Sequence, residues 1–243
     1  MTSIERSILY SCNNGIARIT LNRPNHINAF NIQMRDELYE TLRLFNDDSL
    51  AEVGIIEGSG LKGFCSGADL TEFGTAPSQI IARNVRWERD LWGLFLKLDK
   101  PIVAKLHGYV IGSGVEIASL CDVRISSENS VFKMPEVALG LIPAAGGTQT
   151  LSRLIGQPLA MDMLVTGRLI KSQEALKIGL IDYCVSSNEV ENMVNKVVNI
   201  LKNNNNVLTR TAKHLVRESL DLSLEQGMRI ESVKAIAALT YNQ

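Results

Sequence analysis

The sequence lacks an excess of charge of either sign, since 25 Lys and Arg residues stand against 26 Asp and Glu residues, for a formal net charge of -1. Nucleic-acid binding requires a concentrated surplus of positive charge, so we expect no nucleic-acid partner. Cysteine is also scarce. The four cysteines form no Cys-x-x-Cys pair, which excludes a disulfide framework or zinc cage of the usual spacing and predicts reduced thiols in a cytoplasmic protein.

Long uncharged runs are absent as well. The longest, from Val137 to Ser152, contains Pro143 and is shorter than the ~20 apolar residues of a membrane-spanning helix. The N-terminal segment includes Glu5 and Arg6 and has no apolar core, so we expect no secretory signal and no membrane association. The 243 residues suffice for one large folded domain.

The spacing of apolar residues changes between the strand period of two and the helical period of about 3.6. Asn31 is suited to cap a helix in which Met34, Leu38, Leu42 and Phe45 share one face. Strands separated by helices predict an α/β fold with a parallel, wound sheet and a helical C-terminal tail. The predicted strands are residues 8–11 and 16–21, which a turn at Asn13-Asn14-Gly15 joins as a hairpin, and residues 53–56, 102–104 and 123–125. The predicted helices are the one that follows the Asn31 cap and ends near residues 46–48, and residues 78–98, 114–118, 159–165, 172–178, 190–202, 208–220 and 224–239.

Small residues mark a strand-to-helix turn at Gly112-Ser113-Gly114. The first N–H groups of a helix lack intrahelical acceptors and attract negative charge, so the turn is a candidate anion site; a tight packing turn is the plainer alternative. A dinucleotide site is excluded because Ile117 occupies the third glycine position of the G-x-G-x-x-G fingerprint. A serine hydrolase is disfavoured because neither Ser66 nor Ser113 lies in a G-x-S-x-G elbow.

Two carboxylates are better candidates for chemistry than the three histidines, which have no metal-ligand spacing. We expect His107, at the end of a predicted strand, to be packed or hydrogen bonded. Glu116 and Glu136 both lie in apolar segments, and a buried carboxylate is costly unless it is paired, hydrogen bonded or used. Each could be a structural acceptor, and their spacing along the chain does not show whether they meet.

Several ordered motifs resemble the crotonase, or enoyl-CoA hydratase/isomerase, superfamily over nearly the whole chain. Together these motifs are specific for the superfamily and less specific for the reaction. They are residues 21–24 with Asn28-Ala29, residues 64–70, residues 107–109, residues 112–116 with Cys121-Asp122, residues 135–143 and residues 146–149.

The resemblance implies an α/β fold in which a spiral of ββα turns carries the site and a C-terminal helical region serves in trimerisation. On this basis we expect a spiral core over residues 1–190, with the acyl-CoA site, and a helical region over residues 191–243. It also implies a homotrimer or a dimer of trimers. No metal and no separate cofactor are expected, because coenzyme A belongs to the substrate.

The resemblance also implies roles for individual residues. The backbone N–H groups of Ala68 and Ser113 would form an oxyanion hole for the thioester oxygen. Glu116 would hold and activate water, and Glu136 would exchange the proton at C2. The expected substrate and CoA contacts are Ser66, Ala68, Asp69, Leu70 and Ser113.

The implied function is an enoyl-CoA hydratase, which adds water to a 2-trans-enoyl-CoA to give a 3-hydroxyacyl-CoA in fatty acid β-oxidation or related acyl-CoA metabolism. Retention of both acids favours hydration over double-bond isomerisation. A Δ3,Δ2-enoyl-CoA isomerase or another crotonase reaction, and a non-catalytic acyl-CoA-binding protein, are the alternatives.

The chain departs from the family pattern at four positions around the site. Ala144 replaces a glycine beside the catalytic water, and Thr71, Thr150 and Asn25 stand where basic residues are frequent. We expect these differences to affect the acyl pocket and the binding of the CoA phosphates.

Overall fold

The structure is a computed structural model that describes residues 5–72, 74–75, 78, 80, 88–204 and 206–240.

The first two strands form a hairpin, as the sequence predicts. Strands β1 (Ile8–Asn13) and β2 (Ile16–Leu21) pair antiparallel. Asn14 and Gly15 turn the chain with φ values of 50° and 77°, and such a pair of positive φ angles matches the right-handed twist of the strands.

The larger sheet continues from β2 by parallel pairing. Its order is β1-β2-β3-β5-β7-β10, and β1 alone among these strands runs antiparallel to its neighbour. The added strands are β3 (Val53–Gly58), β5 (Ile102–Leu106), β7 (Val123–Ser127) and β10 (Tyr183–Val185).

A second sheet has the order β4-β6-β8-β9. Its strands are β4 (Gly63–Cys65), β6 (Tyr109–Ile111), β8 (Val131–Lys133) and β9 (Ile170–Lys171). The first three strands are parallel and β9 is antiparallel to β8. The strands of this small sheet were not predicted from the spacing of apolar residues, because strands of two or three residues are too short to show a period of two.

Consecutive strands alternate between the two sheets. The pairs β3–β4, β5–β6 and β7–β8 each contribute one strand to the large sheet and one to the small sheet. Helices follow these pairs, so the chain winds as a spiral of ββα turns, which confirms the expected α/β fold class.

The helices of the described residues are α1 to α9, and three short 3-10 helices accompany them at Pro24–His26, Leu70–Glu72 and Val137–Leu139. The α-helices are α1 (Ile32–Asp47), α2 (Leu91–Leu96), α3 (Ser113–Leu120), α4 (Gly147–Ile155), α5 (Gln157–Thr166), α6 (Ser172–Lys177), α7 (Val190–Asn203), α8 (Asn206–Glu218) and α9 (Leu224–Thr240). Of the predicted helix 78–98, α2 is described, whereas residues 79 and 81–87 lie outside the described residues.

Helix α1 is fixed at both ends by side chains. The Asn31 side-chain oxygen accepts a hydrogen bond from Met34 N at 2.9 Å, which confirms the predicted cap. At the other end, buried Lys100 donates from Nζ to the carbonyl oxygens of Phe45 at 2.8 Å and Asp48 at 2.6 Å. These bonds satisfy carbonyl groups that lack intrahelical donors. The four predicted face residues are fully buried.

Helix α7 covers the outer face of the large sheet. Its buried side chains pack against buried residues of β3, β5 and β7, so residues 190–203 share a core with the sheet. The helix contributes Val190, Val194, Val197 and Val198, and the strands contribute Val53, Ile55, Val103 and Ile125.

Helices α8 and α9 have no fully buried residue among their described side chains. A polar cluster attaches α8 to the core: Asp122 pairs with Lys213 at 2.8 Å and with Arg217 at 2.9 Å. The Asp122 carboxylate also accepts a hydrogen bond from Ile102 N at 2.8 Å. Across the described part of the chain, every helix is too short or too polar to cross a bilayer.

Candidate active site

A cavity of about 450 Å³ opens where three neighbouring strands end. Strands β4, β6 and β8 are parallel neighbours, so the segments that follow them emerge at the same edge of the small sheet. In open α/β sheets, ligands bind outside the carboxyl ends of the strands. Ser66 and Ala68 follow β4, Ser113 follows β6 and Glu136 follows β8, and all four line the cavity.

The N–H group of Ala68 faces away from its neighbouring strand segment. Phe30 N donates to Gly67 O at 2.8 Å, and Asp69 N donates to Phe30 O at 3.0 Å, which is a parallel bridge between Phe30 and Ala68. In this pattern the backbone N–H and C=O groups of Ala68 point away from the segment that contains Phe30. Within the described residues, Ala68 N has no acceptor.

Ser113 is the first residue of α3, so its N–H group has no intrahelical acceptor. The first helical bond runs from Glu116 N to Gly112 O at 3.0 Å. Gly112 enters the helix with φ 50°, a conformation that glycine adopts without steric cost. The Ser113 N–H group therefore lies at the positive end of the helix dipole, on the cavity wall.

Glu116 projects from the first turn of α3 and is buried, with 2% of its surface exposed. Its Oε1 accepts hydrogen bonds from Ala145 N at 3.0 Å and Gly147 N at 2.9 Å. A Cβ atom on Gly147 would lie 2.9 Å from this same oxygen. The start of α4 thus orients the carboxylate and has no room for a side chain there.

Glu136 is half-buried, and its Oε2 has no hydrogen-bond partner among the described residues. Burial raises the pKa of the Glu136 carboxyl above its ordinary value, because desolvation disfavours the charged form. The structure therefore places two carboxyl groups on the same cavity: Glu116, which two N–H groups hold, and Glu136, whose pKa is raised by burial.

Such an arrangement is equipped for acid and base chemistry on a carbonyl compound. Two fixed N–H groups stabilise negative charge that develops on an oxygen. Two carboxyl groups in different environments divide the roles of base and acid. The spacing between Glu116 and Glu136 in sequence did not show that they meet, and the two sheets bring them together.

Of the predicted contact residues, Ser66, Ala68, Leu70 and Ser113 line the cavity and Asp69 is not among its lining residues. Asp69 accepts a hydrogen bond from Thr71 Oγ1 at 2.7 Å and pairs with Arg23 at 2.9 Å. These two contacts lower the pKa of the Asp69 carboxyl.

The departures from the family pattern have defined surroundings. Ala144 lines the cavity, Thr71 contacts Asp69 as above, and Thr150 Oγ1 donates to Gly146 O at 3.0 Å. His107 is hydrogen bonded as predicted, with Nε2 3.0 Å from Gly60 O, and burial lowers its pKa.

Sequence reasoning missed Arg35 and Arg89, which also line the cavity together with Leu91 and Trp92. A signal was available for Arg35. It lies three residues before Leu38 on α1, so it shares the stripe of the buried leucines. A charged residue at such a position indicates a special environment.

Comparison with known proteins identifies the family. The model of the family described as "Enoyl-CoA hydratase/isomerase" matches residues 11–237. The short-chain-enoyl-CoA hydratase of Clostridium acetobutylicum is 34% identical over 223 residues, covering 89% of this chain and 83% of the relative. The 2,3-dehydroadipyl-CoA hydratase of Escherichia coli (strain K12) is 33% identical over 213 residues, covering 88% and 82%.

Solved structures agree with this match. A protein from Thermobifida fusca YX, crystallised in complex with CoA, superposes with a TM-score of 0.89 at 28% identity, covering 97% of this chain and 94% of its own. The matched range includes every residue that lines the cavity and all strands of both sheets except the first three residues of β1. The chain therefore belongs to the enoyl-CoA hydratase/isomerase family.

Proposed function

We propose that this protein is an enoyl-CoA hydratase, which adds water reversibly to the 2,3 double bond of a 2-trans-enoyl-CoA to give a 3-hydroxyacyl-CoA. The observation that carries the proposal is that Glu116 and Glu136 share one cavity with the backbone donors Ala68 and Ser113. Relatives named as hydratases of acyl-CoA thioesters support the same substrate class. The reaction belongs to fatty acid β-oxidation or related acyl-CoA metabolism.

In the proposed mechanism, the thioester oxygen accepts hydrogen bonds from Ala68 N and Ser113 N. Addition at C3 moves electrons onto this oxygen and gives an enolate, so the two donors bind the transition state more strongly than the ground state. Because both donors belong to the backbone, the serine side chain at position 113 does not remove either of them.

Glu116 acts on the water molecule, and Glu136 acts on C2 of the enoyl thioester. Glu116, oriented by Ala145 N and Gly147 N, accepts a proton from water as the water oxygen bonds to C3. Glu136, whose pKa is raised by burial, delivers its proton to C2 as the enolate collapses. Proton exchange with solvent then restores both groups, and the reverse sequence dehydrates the product.

Hydration of crotonyl-CoA by the E116Q and E136Q variants tests the proposal. We expect each substitution to lower kcat by about 100-fold or more, the lower range of general acid–base contributions. Glu128 is exposed and lies outside the cavity, so E128Q is a matched control with full activity. Full activity in E116Q or E136Q would remove that residue from the mechanism.

The same proposal includes the assembly. Helices α8 and α9 expose large apolar side chains, of which Leu224 is 81% exposed and Ile236 65%, and a soluble surface seldom leaves such a stripe uncovered. We propose that, within the expected helical region 191–243, α8 and α9 contact other copies of the chain in a homotrimer or dimer of trimers, whereas α7 packs on the large sheet with the catalytic core. Sedimentation at micromolar concentration tests the oligomeric state.

We also propose a cytoplasmic location, which cell fractionation tests.

A further inference from the structure

Two arginines lie in the wall of the catalytic cavity, and the mechanism above uses neither of them. Arg35 comes from the first turn of α1, and Arg89 immediately precedes the cap of α2. Next to them the wall is apolar, with Leu91 and Trp92, and the Trp92 ring packs on Phe30 at 5.9 Å between centroids. A cationic patch beside apolar surface is an arrangement that selects a ligand with both characters.

The two arginines share a single carboxylate. Arg35 Nε and Nη2 donate to Asp36 Oδ1 at 2.9 and 2.8 Å, and Arg89 Nη1 lies 3.1 Å from Asp36 Oδ2. Arg35 Nη1 has no partner among the described residues. The neighbouring acids are engaged elsewhere, since Glu37 accepts from Ile8 N at 2.9 Å and Glu40 lies 3.9 Å from Arg43. Two guanidinium groups thus share the Asp36 carboxylate.

The arginines and the reacting groups come from different segments of the chain. Glu116, Glu136 and the N–H donors lie in the segments that follow β4, β6 and β8, whereas Arg35 lies on α1 and Arg89 precedes α2. The cavity wall therefore has a reacting part and a cationic part. Only 23% of the Arg35 side chain is exposed, and the Asp36 carboxylate that it contacts is shared with Arg89.

Resting on the proposed function, we propose that Arg35, assisted by Arg89, binds a carboxylate at the far end of the acyl chain. The substrates then include 2-enoyl-CoA thioesters of dicarboxylic acids. A carboxylate matches the planar fork of a guanidinium and forms short, charge-assisted hydrogen bonds. It would give the two guanidinium groups that share Asp36 a second carboxylate partner, while the chain between its two ends lies on the apolar wall.

The experiment uses a matched pair of substrates: six-carbon 2-enoyl-CoA thioesters that end in a carboxylate or in a methyl group. The quantity measured is the ratio of kcat/KM for the carboxylate to kcat/KM for the methyl substrate. We expect R35Q to lower this ratio about 10- to 100-fold, the range of one charged hydrogen bond. R89Q should lower it by a smaller factor. Its side chain is 43% exposed, so this second variant carries little risk of misfolding.

Arg43→Gln is the control, because Arg43 lies on the same helix, is 56% exposed and is not among the residues that line the cavity. It removes the same charge and should leave the ratio unchanged. An unchanged ratio in both R35Q and R89Q would overturn the proposal. Equal losses of kcat/KM on both substrates would also overturn it. If the arginines contact the CoA phosphates instead, these losses disappear when pantetheine thioesters replace the CoA thioesters.

The outcome separates this inference from the proposed function. If the wild-type protein hydrates the methyl substrate and rejects the carboxylate, the carboxylate site is wrong and the hydratase stands. If it hydrates neither substrate nor crotonyl-CoA, the hydratase itself is wrong. A ratio that falls in R35Q and not in R43Q supports both.

Discussion

Gly112 and Glu136 are packed so closely that a Cβ atom on Gly112 would lie 2.6 Å from Glu136 Oε1. Gly112 also has φ 50° and donates its N–H group to Lys133 O at 2.9 Å. The loop after β6 and the segment after β8 are therefore joined at one glycine. This contact sets the position of the acid relative to the Ser113 N–H group.

The Gly112→Ala substitution should displace the Glu136 carboxyl and strain the backbone. We expect kcat/KM for crotonyl-CoA to fall by about 10-fold or more, since small misplacements of reacting groups are costly. We also expect the free energy of unfolding to fall by about 1 kcal/mol or more. Steady-state kinetics and urea unfolding measure the two effects.

Gly227→Ala is the matched control for this substitution. Gly227 lies within α9, and a Cβ atom there would meet nothing within 4 Å. Alanine should stabilise the helix by up to about 1 kcal/mol and leave kcat/KM unchanged. Equal activity of the two variants would show that the contact between Gly112 and Glu136 does not position the acid.

The Ser113 N–H group can be removed without removing the helix. Proline is tolerated in the first turn of a helix, where its missing N–H group has no intrahelical acceptor. We expect S113P to lower kcat about 100- to 1000-fold, as loss of one oxyanion donor does in other enzymes. S113A keeps the N–H group and should lose much less. Similar losses in both variants, with native circular dichroism, would argue against this donor.

Stability should depend on pH through Glu136. Because burial raises the folded-state pKa of Glu136, the folded protein binds its proton more tightly than the unfolded chain. The additional free energy of unfolding that this tighter binding provides is fully present below the pKa of the unfolded chain. It is lost as pH rises through the pKa of the folded protein. Replacing Glu136 with Gln removes the buried charge, so the Tm difference between E136Q and wild type should grow in favour of E136Q from pH 4 to pH 8. A difference that is constant over this range would contradict the raised pKa.

Asp122 connects α8 to the core through Ile102, Lys213 and Arg217. Only 6% of the Lys213 side chain is exposed, and burial lowers its pKa. D122N would leave this ammonium without its carboxylate, at a cost of about 2–4 kcal/mol of unfolding free energy. Hydrogen exchange within α8 should rise as well.

Asp221→Asn is the surface control for D122N. Asp221 pairs with Arg153 at 3.4 Å, and their side chains are 73% and 47% exposed. Exposed pairs of this kind contribute about 0–1 kcal/mol. If D122N is no more destabilising than D221N, the polar cluster does not hold α8.

Local signals predicted much of the secondary structure. The turn at Asn14-Gly15, the cap at Asn31 and the helical stripe of α1 all depend on neighbours in sequence, and the structure confirms them. The second sheet was missed because β4, β6 and β8 have three residues each. Such strands exist through pairing with partners distant in sequence, and no local pattern records that pairing.

The candidate site was also predicted only in part. The family motifs predicted Ala68, Ser113, Glu116 and Glu136 as site residues, and their meeting at one cavity depends on the missed sheet. The environment of each acid could not be predicted, because Ala145 N and Gly147 N reach Glu116 across the fold. Arg35 was missed for a different reason: its helical position was visible, but the cavity beside it was not.

Hydration of crotonyl-CoA in water labelled in both oxygen and hydrogen, with E116Q, E136Q and the double variant, decides whether the two acids act together. We expect a product with labelled oxygen at C3 and labelled hydrogen at C2. We also expect the double variant to be scarcely slower than the slower single variant, because residues that act as a unit are not additive. A product without the oxygen label, or losses that multiply in the double variant, would contradict the claim that Glu116 and Glu136 act together on one enoyl thioester.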